Sequence, residues 1–514
     1  MDNLQMTIPA RDNARPVKIR PREVHAWLNN LPYMDLGRTA RLASHQLRVM
    51  NRQAIAPATR TEILGQFLAA YHRLGAAGAG TPAEARLVRP LLRRLCQDLG
   101  FGYKIVVHDL AGARSRLLES RHLSAALLGA IHVLGLQLLH YYRGYQRTPR
   151  ALWSECLALY RHARKTGRHT FSAQLPGSGK VELDADFRLI GLLRLSNPYR
   201  LPHGMVTALE NYLGLHIQLA ALETGAPAQD GGSHLLLSGG DGSDSSLTVN
   251  VTALLEQLQR DIDALKRHRQ ARAVGLPASV PAAVLQRTLE QLRRDWAVSP
   301  SRRNEREAVQ AQVELVSGLD AVYCVLNGGR CFDRRLFVGR DTDEVIDLGR
   351  RPLPEEPPKP QPPTVSLCQT LNRSSDGVAL SQCGDVALRP RVGQLVAVRR
   401  TQGAPHRGWV LAVCRWLAEN ETGSGHDIGL QYLTREARAV VVRCPAASGN
   451  DYQPTLASRQ RRGAQPVITL ITHSGRLVPG QQVSVYDRGR HYRVHCVELV
   501  ESGAGFERLV CLPA

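Results

Sequence analysis

The chain has 514 residues and carries 66 Lys and Arg against 45 Asp and Glu, a formal charge of +21 at pH 7. With 43% hydrophobic and 22% charged residues, its composition excludes an intrinsically disordered chain and indicates several folded domains. The charge suggests a polyanionic partner, but nearly all the basic residues are arginines, which GC-rich codon usage explains equally well. Composition alone therefore does not identify the partner.

Cysteine placement and hydropathy favour a cytoplasmic protein. The ten cysteines form no C-x(2–4)-C pair, so the sequence indicates neither a zinc ribbon nor a redox dithiol, and we expect reduced, mostly buried thiols. The first 20 residues lack the apolar run of a signal peptide. The longest apolar stretch, 123–139, contains Ser124, His132 and Gln137, which favours a buried bundle helix over a membrane span.

The first 297 residues are predicted to be mainly helical. Residues 1–20 form a tail, and residues 21–224 form an all-α domain, a bundle or irregular solenoid, because apolar residues recur at helical spacing, as at Ile63, Phe67 and Leu74. Residues 225–248 lack Lys and Arg and are rich in Gly, Ser and Asp, which predicts a linker or loop. A helical segment is expected at 249–297.

After residue 297 the apolar period changes to two, as in the alternation of Val309, Ala311, Val313 and Leu315. Strand-like runs follow at 319–326, 407–417, 427–433, 438–444, 465–473, 482–486 and 490–500. Short strands separated by Gly-rich turns predict small antiparallel barrels. We therefore expect a multidomain α+β protein with a helical domain, an antiparallel β-barrel at 298–445 with an insertion at 327–363, and a β module at 446–514. The module is either a second barrel or completes the first.

Several motifs that suggest other chemistry are incomplete. The segment 176–180 (PGSGK) resembles a phosphate-binding loop, but Gln174 replaces the first glycine and Val181 the metal-binding hydroxyl, so a turn is the better interpretation. His491 and His495 would share a strand face, where a surface pair is commoner than a metal site. No nucleophile–base motif is evident, although a triad assembled from distant positions stays open.

Two short motifs carry chemistry suited to a nucleotide. Arg302 and Arg306 form R-x-x-x-R on the arm that leads to the first strand, and Arg303 lies between them. Farther along, Asn372, Ser374 and Gly377 form N-x-S-x-x-G before a strand pair. Arginine forks bind phosphates and guanine edges, and the amide and hydroxyl donate or accept hydrogen bonds. The glycine is expected to permit the backbone conformation of the turn.

Together with the later strands GWV (408–410) and IGLQY (428–432), this order of motifs resembles the PilZ family of cyclic-di-GMP receptors over about 298–444. Two departures are Asn372, where the family usually has Asp, and the long insertion at 327–363. The resemblance implies cyclic-di-GMP as the ligand, with no catalytic residue, metal or cofactor. The implied ligand-binding residues are Arg302, Arg303, Arg306, Asn372, Ser374 and Gly377, with Arg373 as an additional contact.

These observations predict a cyclic-di-GMP effector, not an enzyme. Binding would order the 297–306 arm, reorient the barrel against the helical domain and alter protein–protein contacts. The family resemblance implies a bacterial process such as surface attachment, motility or type IV pilus control, with an unidentified protein partner on the helical domain. The alternative is a nucleic-acid-binding adaptor that uses the Arg-rich helical half, whose affinity would fall steeply with salt. An enzyme hidden in the helical half has no motif in its favour.

Overall fold

A computed structural model describes residues 6–12, 20–78, 82–111, 117–224, 233–237, 247–297, 307–333, 362–382, 390–401, 408–446, 449–462 and 465–514. The chain divides into two compact units, Met1–Pro198 with Gly204–Pro300 and Tyr199–His203 with Ser301–Ala514. The first unit is largely helical, and the second contains two closed antiparallel barrels. The predicted multidomain α+β fold is therefore confirmed.

In its described part the first unit contains ten α-helices and five short strands. Helices α1 to α10 span Pro21–Asn29, Leu36–Met50, Pro57–Ala77, Pro82–Ala111, Leu117–Arg143, Arg150–Lys165, Leu183–Leu195, Met205–Leu215, Thr252–His268 and Ala282–Ala297. Strands β1 (Ser172–Leu175) and β2 (Gly179–Glu182) form a hairpin. Strands β3 (Ala221–Thr224), β4 (His234–Leu237) and β5 (Leu247–Asn250) form a sheet in the order β3-β5-β4.

The core of this unit is built around α5. Its segment Ser120–Arg143 is long and apolar enough to cross a membrane, but 78% of its most apolar window is buried inside the protein. The α5 residues Ala126, Leu127, Ala130 and Ile131 are fully buried. Because neighbouring helices cover this apolar surface, α5 is a core helix, as the polar interruptions of the stretch predict.

The Gly- and Ser-rich segment predicted as a linker contributes to the sheet. His234–Leu237 forms β4, which pairs with β5, and the side chain of Leu237 is buried. Leu237 also lies close to Gly191 of α7, where an added Cβ would meet its methyl carbons at 3.2 and 3.3 Å. The apolar run HLLL therefore behaves as a strand within a polar segment, because it covers part of the helical core.

The second unit contains one short helix and twelve strands in its described part. Helix α11 spans Leu319–Leu326, and strands β6 to β17 span Gln312–Ser317, Ser366–Arg373, Gly377–Gln382, Leu395–Arg400, Val410–Glu419, His426–Thr434, Ala437–Ala446, Gly449–Arg462, Gln465–Thr472, Gln482–Asp487, Arg490–Ser502 and Glu507–Pro513. The first barrel closes in the order β10-β11-β8-β7-β6-β9 and the second in the order β12-β13-β14-β17-β16-β15.

Three details of this unit differ from the sequence prediction. The run 319–326 is a helix and not a strand, because Leu319, Val322 and Tyr323 recur at helical spacing and are buried together. Strand β12, predicted within 298–445, pairs with β13 and β15 and so belongs to the second barrel. Strands β13 and β17 were not among the predicted runs, and β13 carries polar residues that lack a clear alternation.

A shared apolar core joins the two barrels. Val316, Leu395 and Leu411 of the first barrel and Leu319 and Tyr323 of α11 pack against the second barrel. The second barrel contributes Val441, Leu456, Ile471 and Phe506 to this core. An ion pair also crosses between the barrels, from Arg415 to Glu501 at 2.7 Å. The C-terminal β module is thus a second barrel packed on the first, and does not complete it.

The cysteines follow the prediction with one correction. Seven described cysteines are buried and not disulfide-bonded, at positions 96, 156, 368, 414, 444, 496 and 511. Cys324 and Cys331, however, form a disulfide, so the expectation that all thiols are reduced is wrong for this pair. The turn that follows α11 brings the chain back on itself and places the two Cα atoms 4.2 Å apart, within reach of a disulfide.

Candidate functional site

The topology of the first barrel gathers distant parts of the chain at one rim, which we call the barrel mouth. In an antiparallel barrel, strands that start at a rim alternate with strands that end there. The barrel mouth contains the first residues of β6, β8 and β10 and the last residues of β7, β9 and β11, which are Gln312, Gly377, Val410, Arg373, Arg400 and Thr434. The chain segment that precedes β6 therefore enters the barrel at the same rim as the turn between β7 and β8.

A pair of backbone hydrogen bonds attaches this entering segment to the turn. The Glu307 amide donates to the Arg373 carbonyl and the Arg373 amide donates to the Glu307 carbonyl, both at 2.9 Å. Glu307 follows Arg306 directly in the chain, and Arg373 follows Asn372. The two predicted motifs are thus connected through residues that adjoin each of them, although about 65 residues separate them in sequence.

The β7–β8 turn is tight and depends on Gly377 for a reason other than the predicted one. The Ser374 amide donates to the Gly377 carbonyl at 2.9 Å, which closes the turn. Gly377 does not have a positive φ, so no special backbone conformation is required. A Cβ at this position would instead lie 2.3 Å from the carbonyl oxygen of Leu430 on β11. The glycine is needed because two strand backbones approach closely.

A cavity of about 680 Å³ opens at the barrel mouth, a volume typical of small-molecule sites. Its wall is largely aliphatic and its rim is basic. The lining residues are Glu307, Val309, Val313, Thr370, Arg373, Val378, Leu380, Val398, Arg399, Arg400, Gly408, Val410, Tyr432 and Arg435. A cavity lined by aliphatic side chains and four arginines is suited to an anionic ligand that also has apolar or aromatic faces.

One of these arginines is engaged by neighbouring side chains. Arg399 pairs with Glu314, with Nη2 2.6 Å and Nε 2.8 Å from the carboxylate oxygen Oε2. Its guanidinium carbon also lies 4.6 Å from the ring centroid of Trp409, within the range of a cation–π interaction. Trp409 is buried in the core shared by the two barrels. Arg399 is therefore held at the rim by both contacts.

The other three arginines surround Tyr432. Within the described residues, Arg373, Arg400 and Arg435 form no ion pair, and the Arg435 guanidinium lies 6.0 Å from the Tyr432 ring centroid. Burial raises the pKa of Tyr432, while the positive charges of Arg373, Arg435 and Arg400 oppose that rise. Three uncompensated cations around a half-buried phenol form a site where an anion is stabilised electrostatically.

The structure places the predicted site residues in three groups. Arg302, Arg303 and Arg306 lie outside the described residues. Asn372, Ser374 and Gly377 lie on the β7–β8 turn at the barrel mouth but are not among the cavity-lining residues. Arg373, predicted as an additional contact, does line the cavity. Whether these residues bind a ligand stays a prediction.

Sequence reasoning missed the other side chains of the mouth. Arg399 and Arg400 end β9, and Arg435 follows β11 directly. Basic residues at strand ends are the available signal in the sequence. They indicate a common site only when the order of the strands in the barrel is known. Glu307 is likewise not distinguishable from an ordinary strand residue in sequence, whereas Tyr432 is the aromatic residue of the IGLQY strand that carries part of the family resemblance.

A second polar cluster lies inside the helical unit, at the phosphate-loop-like segment. Ser178, in the β1–β2 turn, has its Oγ 2.9 Å from Nε2 of both His132 and His72. His132 Nδ1 in turn lies 3.2 Å from both carboxylate oxygens of Asp186. These residues have the order of a Ser-His-Asp triad, but the hydroxyl is held between two imidazoles. The cluster thus docks the hairpin turn onto α3, α5 and α7. Residues 176–178 form a turn, as predicted, and Gly179 and Lys180 begin β2.

This cluster predicts a pH dependence of the helical unit's stability. Burial lowers the pKa of His132, but the charge and hydrogen bond of Asp186, aided by Glu210, outweigh burial and raise that pKa above 6.5. The neighbouring His72 has its pKa lowered by burial and by His132 to about 4, so it is neutral above pH 7.

Raising the pH from about 7 to about 9 is expected to lower the free energy of unfolding of the helical unit. A group with a raised folded pKa stabilises the fold below its unfolded pKa, and that stabilisation is lost as the pH rises through the folded value. Urea unfolding followed by far-UV circular dichroism tests this, with Asp186→Asn as the comparison. A variant that loses stability with pH as steeply as the wild type contradicts the role of the His132–Asp186 pair.

Within the described part of the chain, no group of three or more His, Cys, Asp or Glu side chains is arranged to hold a metal ion. His491 and His495 both lie on β16 and are exposed.

Comparison with known proteins adds independent information. A family model described as "Cyclic-di-GMP receptor FimW, N-terminal domain" matches residues 22–228, which lie before the first barrel. Among curated proteins, the chain is similar to "Cyclic-di-GMP receptor FimW" of Pseudomonas aeruginosa, at 22% identity over 504 residues. This similarity covers 85% of the chain and 81% of the relative, so it includes parts of both structural units. The chain is thus similar to a cyclic-di-GMP receptor over most of its length.

Proposed function

We propose that this protein is a cyclic-di-GMP receptor that binds the dinucleotide at the barrel mouth, in the manner of a PilZ domain. The observation that carries the proposal is the basic cavity at the point where the segment after Arg306 pairs with the segment after Asn372. The similarity to a protein named as a cyclic-di-GMP receptor supports it independently.

The chemistry of the mouth suits this ligand. Cyclic-di-GMP has two phosphodiester anions, and the three arginines without ion pairs, Arg373, Arg400 and Arg435, supply cationic donors within one cavity. Its two guanines expose O6 and N7 acceptors that arginine forks recognise bidentately. The aliphatic wall and the Tyr432 ring offer surfaces on which a flat base packs.

The arm residues complete the proposed site. Arg302, Arg303 and Arg306 are the last basic residues before Glu307 enters the mouth, and Asn372 and Ser374 adjoin Arg373 on the turn. Arginine forks bind phosphate oxygens and guanine edges bidentately, so these side chains are suited to contact the same ligand. The output is a change in protein–protein contacts and not a reaction, in a cytoplasmic effector of surface attachment, motility or type IV pilus control.

Calorimetric titration of the full-length protein with cyclic-di-GMP tests this proposal. We expect binding by the wild type and at least about tenfold weaker binding by Arg302→Ala, Arg306→Ala and Ser374→Ala, because each removes a hydrogen bond to a charged or buried group. Arg391→Ala is a matched control, since Arg391 is exposed and precedes β9 at the opposite rim. Equal binding by all variants contradicts the site, and no binding by the wild type contradicts the function.

GTP, a linear dinucleotide and a salt series distinguish a pocketed ligand from general polyanion binding. A nucleic-acid-binding adaptor would lose affinity steeply with ionic strength and gradually as scattered arginines are removed. A pocketed dinucleotide instead depends on single residues at the mouth. Preference for the cyclic over the linear dinucleotide at constant salt therefore supports the receptor.

A further inference from the structure

Glu307 is the only acidic side chain among the described residues that line the cavity. Its backbone is anchored by the two hydrogen bonds to Arg373, its side chain is exposed, and it lines the cavity together with Val309, two residues on. Four arginines share the same lining, yet no described residue forms an ion pair or side-chain hydrogen bond with the Glu307 carboxylate. An unpaired carboxylate on an anchored backbone therefore belongs to the same cavity lining as four arginine donors.

Guanine and adenine differ in the hydrogen-bond donors that they present to such an acceptor. The Watson–Crick edge of guanine presents two donors, N1–H and the N2 amino group, while the same edge of adenine presents the N1 acceptor beside the N6 amino donor. A carboxylate only accepts hydrogen bonds, so it pairs with both guanine donors and repels the adenine N1 lone pair. The arginines supply donors for guanine O6 and N7, and they do not by themselves distinguish the Watson–Crick edges.

We propose that Glu307 determines the base specificity of the barrel mouth. Its carboxylate accepts hydrogen bonds from the N1–H and N2 amino donors of a guanine and rejects adenine. This inference rests on the proposed function, since it assigns the base selectivity of the same site. It predicts that the wild type discriminates between cyclic-di-GMP and cyclic-di-AMP, which carry identical phosphates.

The Glu307→Gln variant separates this role from simple charge balance. Removal of a negative charge beside four arginines, acting only through electrostatics, would strengthen the binding of both dinucleotides. If Glu307 reads guanine, the amide NH₂ of the glutamine instead opposes the guanine donors, whereas its carbonyl and NH₂ complement adenine N6 and N1. The two interpretations therefore predict opposite signs for cyclic-di-GMP.

The experiment is calorimetric titration of the full-length wild type, Glu307→Gln and Glu436→Gln with cyclic-di-GMP and cyclic-di-AMP at one salt concentration. Glu436 is a matched control, because it is exposed near the end of β11, beside Arg435, but does not line the cavity. We expect Glu307→Gln to weaken cyclic-di-GMP binding at least about tenfold and to strengthen cyclic-di-AMP binding. Glu436→Gln is expected to leave the ratio of the two affinities unchanged.

Failure of this inference is distinguishable from failure of the proposed function. Wild-type binding of cyclic-di-GMP with an unchanged affinity ratio in Glu307→Gln overturns the role of Glu307 and leaves the receptor function intact. Tighter binding of both dinucleotides by Glu307→Gln also overturns it, because that result is the signature of charge balance. No binding of cyclic-di-GMP by the wild type overturns the function and this inference together.

Discussion

Replacing Gly377 with alanine is expected to destabilise the barrel unit by about 3 kcal/mol and to lower its melting temperature by roughly 6–12 °C. The new methyl carbon would lie 2.3 Å from the Leu430 carbonyl oxygen, 3.3 Å from the Leu430 carbonyl carbon and 3.5 Å from the Gln431 Cα. All three atoms are backbone atoms of β11, so the clash is relieved only if β8 and β11 separate. Thermal unfolding followed by near-UV circular dichroism measures the effect.

Gly408→Ala is the matched control for this prediction. Gly408 lies at the same barrel mouth, but a Cβ there meets nothing within 4 Å. With an unstrained backbone, the substitution is expected to leave stability unchanged or raise it by up to about 1 kcal/mol. Equal melting temperatures for the wild type and Gly377→Ala would show that the two strands separate without cost, contrary to the packing described above.

The double variant Arg400→Ala/Arg435→Ala is expected to weaken cyclic-di-GMP binding about a hundredfold, with each single variant contributing roughly tenfold. Both side chains line the cavity and neither forms an ion pair within the described residues, so their donors are available to the ligand. For the same reason, their loss is expected to leave the melting temperature nearly unchanged. Calorimetric titration beside a thermal melt of each variant provides both measurements.

A charge-conserving control shows whether the arginines contribute to affinity through the geometry of their guanidinium groups or through charge alone. Arg400→Lys/Arg435→Lys keeps two cations but loses the planar fork that grips phosphate or guanine bidentately. We expect its affinity to fall between those of the wild type and the double alanine variant. If the double alanine variant binds as tightly as the wild type, the cavity is not the ligand site, and the turn and arm must act without it.

Sequence reasoning reached some residues of the candidate site and not others, for a physical reason. Asn372, Ser374 and Gly377 form a local motif of adjacent residues, which the sequence indicates through its place in the order of the other motifs. Arg399 and Arg400 end β9 and Arg435 directly follows β11, and the relevance of these three arginines arises only from strand order. The predicted reason for Gly377, a special backbone conformation, is likewise wrong, because the atom that excludes a Cβ belongs to a strand about 50 residues away.

Local patterns by themselves determined the two-part architecture of the protein. Helical apolar spacing in the first half and alternation in the second half are set by which face of each element must be buried, and this information is local. The run Leu319–Leu326 forms a helix and not the predicted strand, because a short apolar run fits either period in sequence. Its helical face, with Leu319, Val322 and Tyr323, is buried in the core shared by the two barrels.

Only the tertiary structure decided where the barrel mouth lies and what lines it. Closure of the antiparallel barrel places the ends of β7, β9 and β11 at one rim, which brings Arg373, Arg400 and Arg435 around Tyr432 and sets Glu307 against them. The pairing of β12 with β13 and β15 similarly assigned that strand to the second barrel. Strand pairing is a choice among many non-local partners, and its free energy depends on the whole sheet, so no local pattern in the chain specifies it.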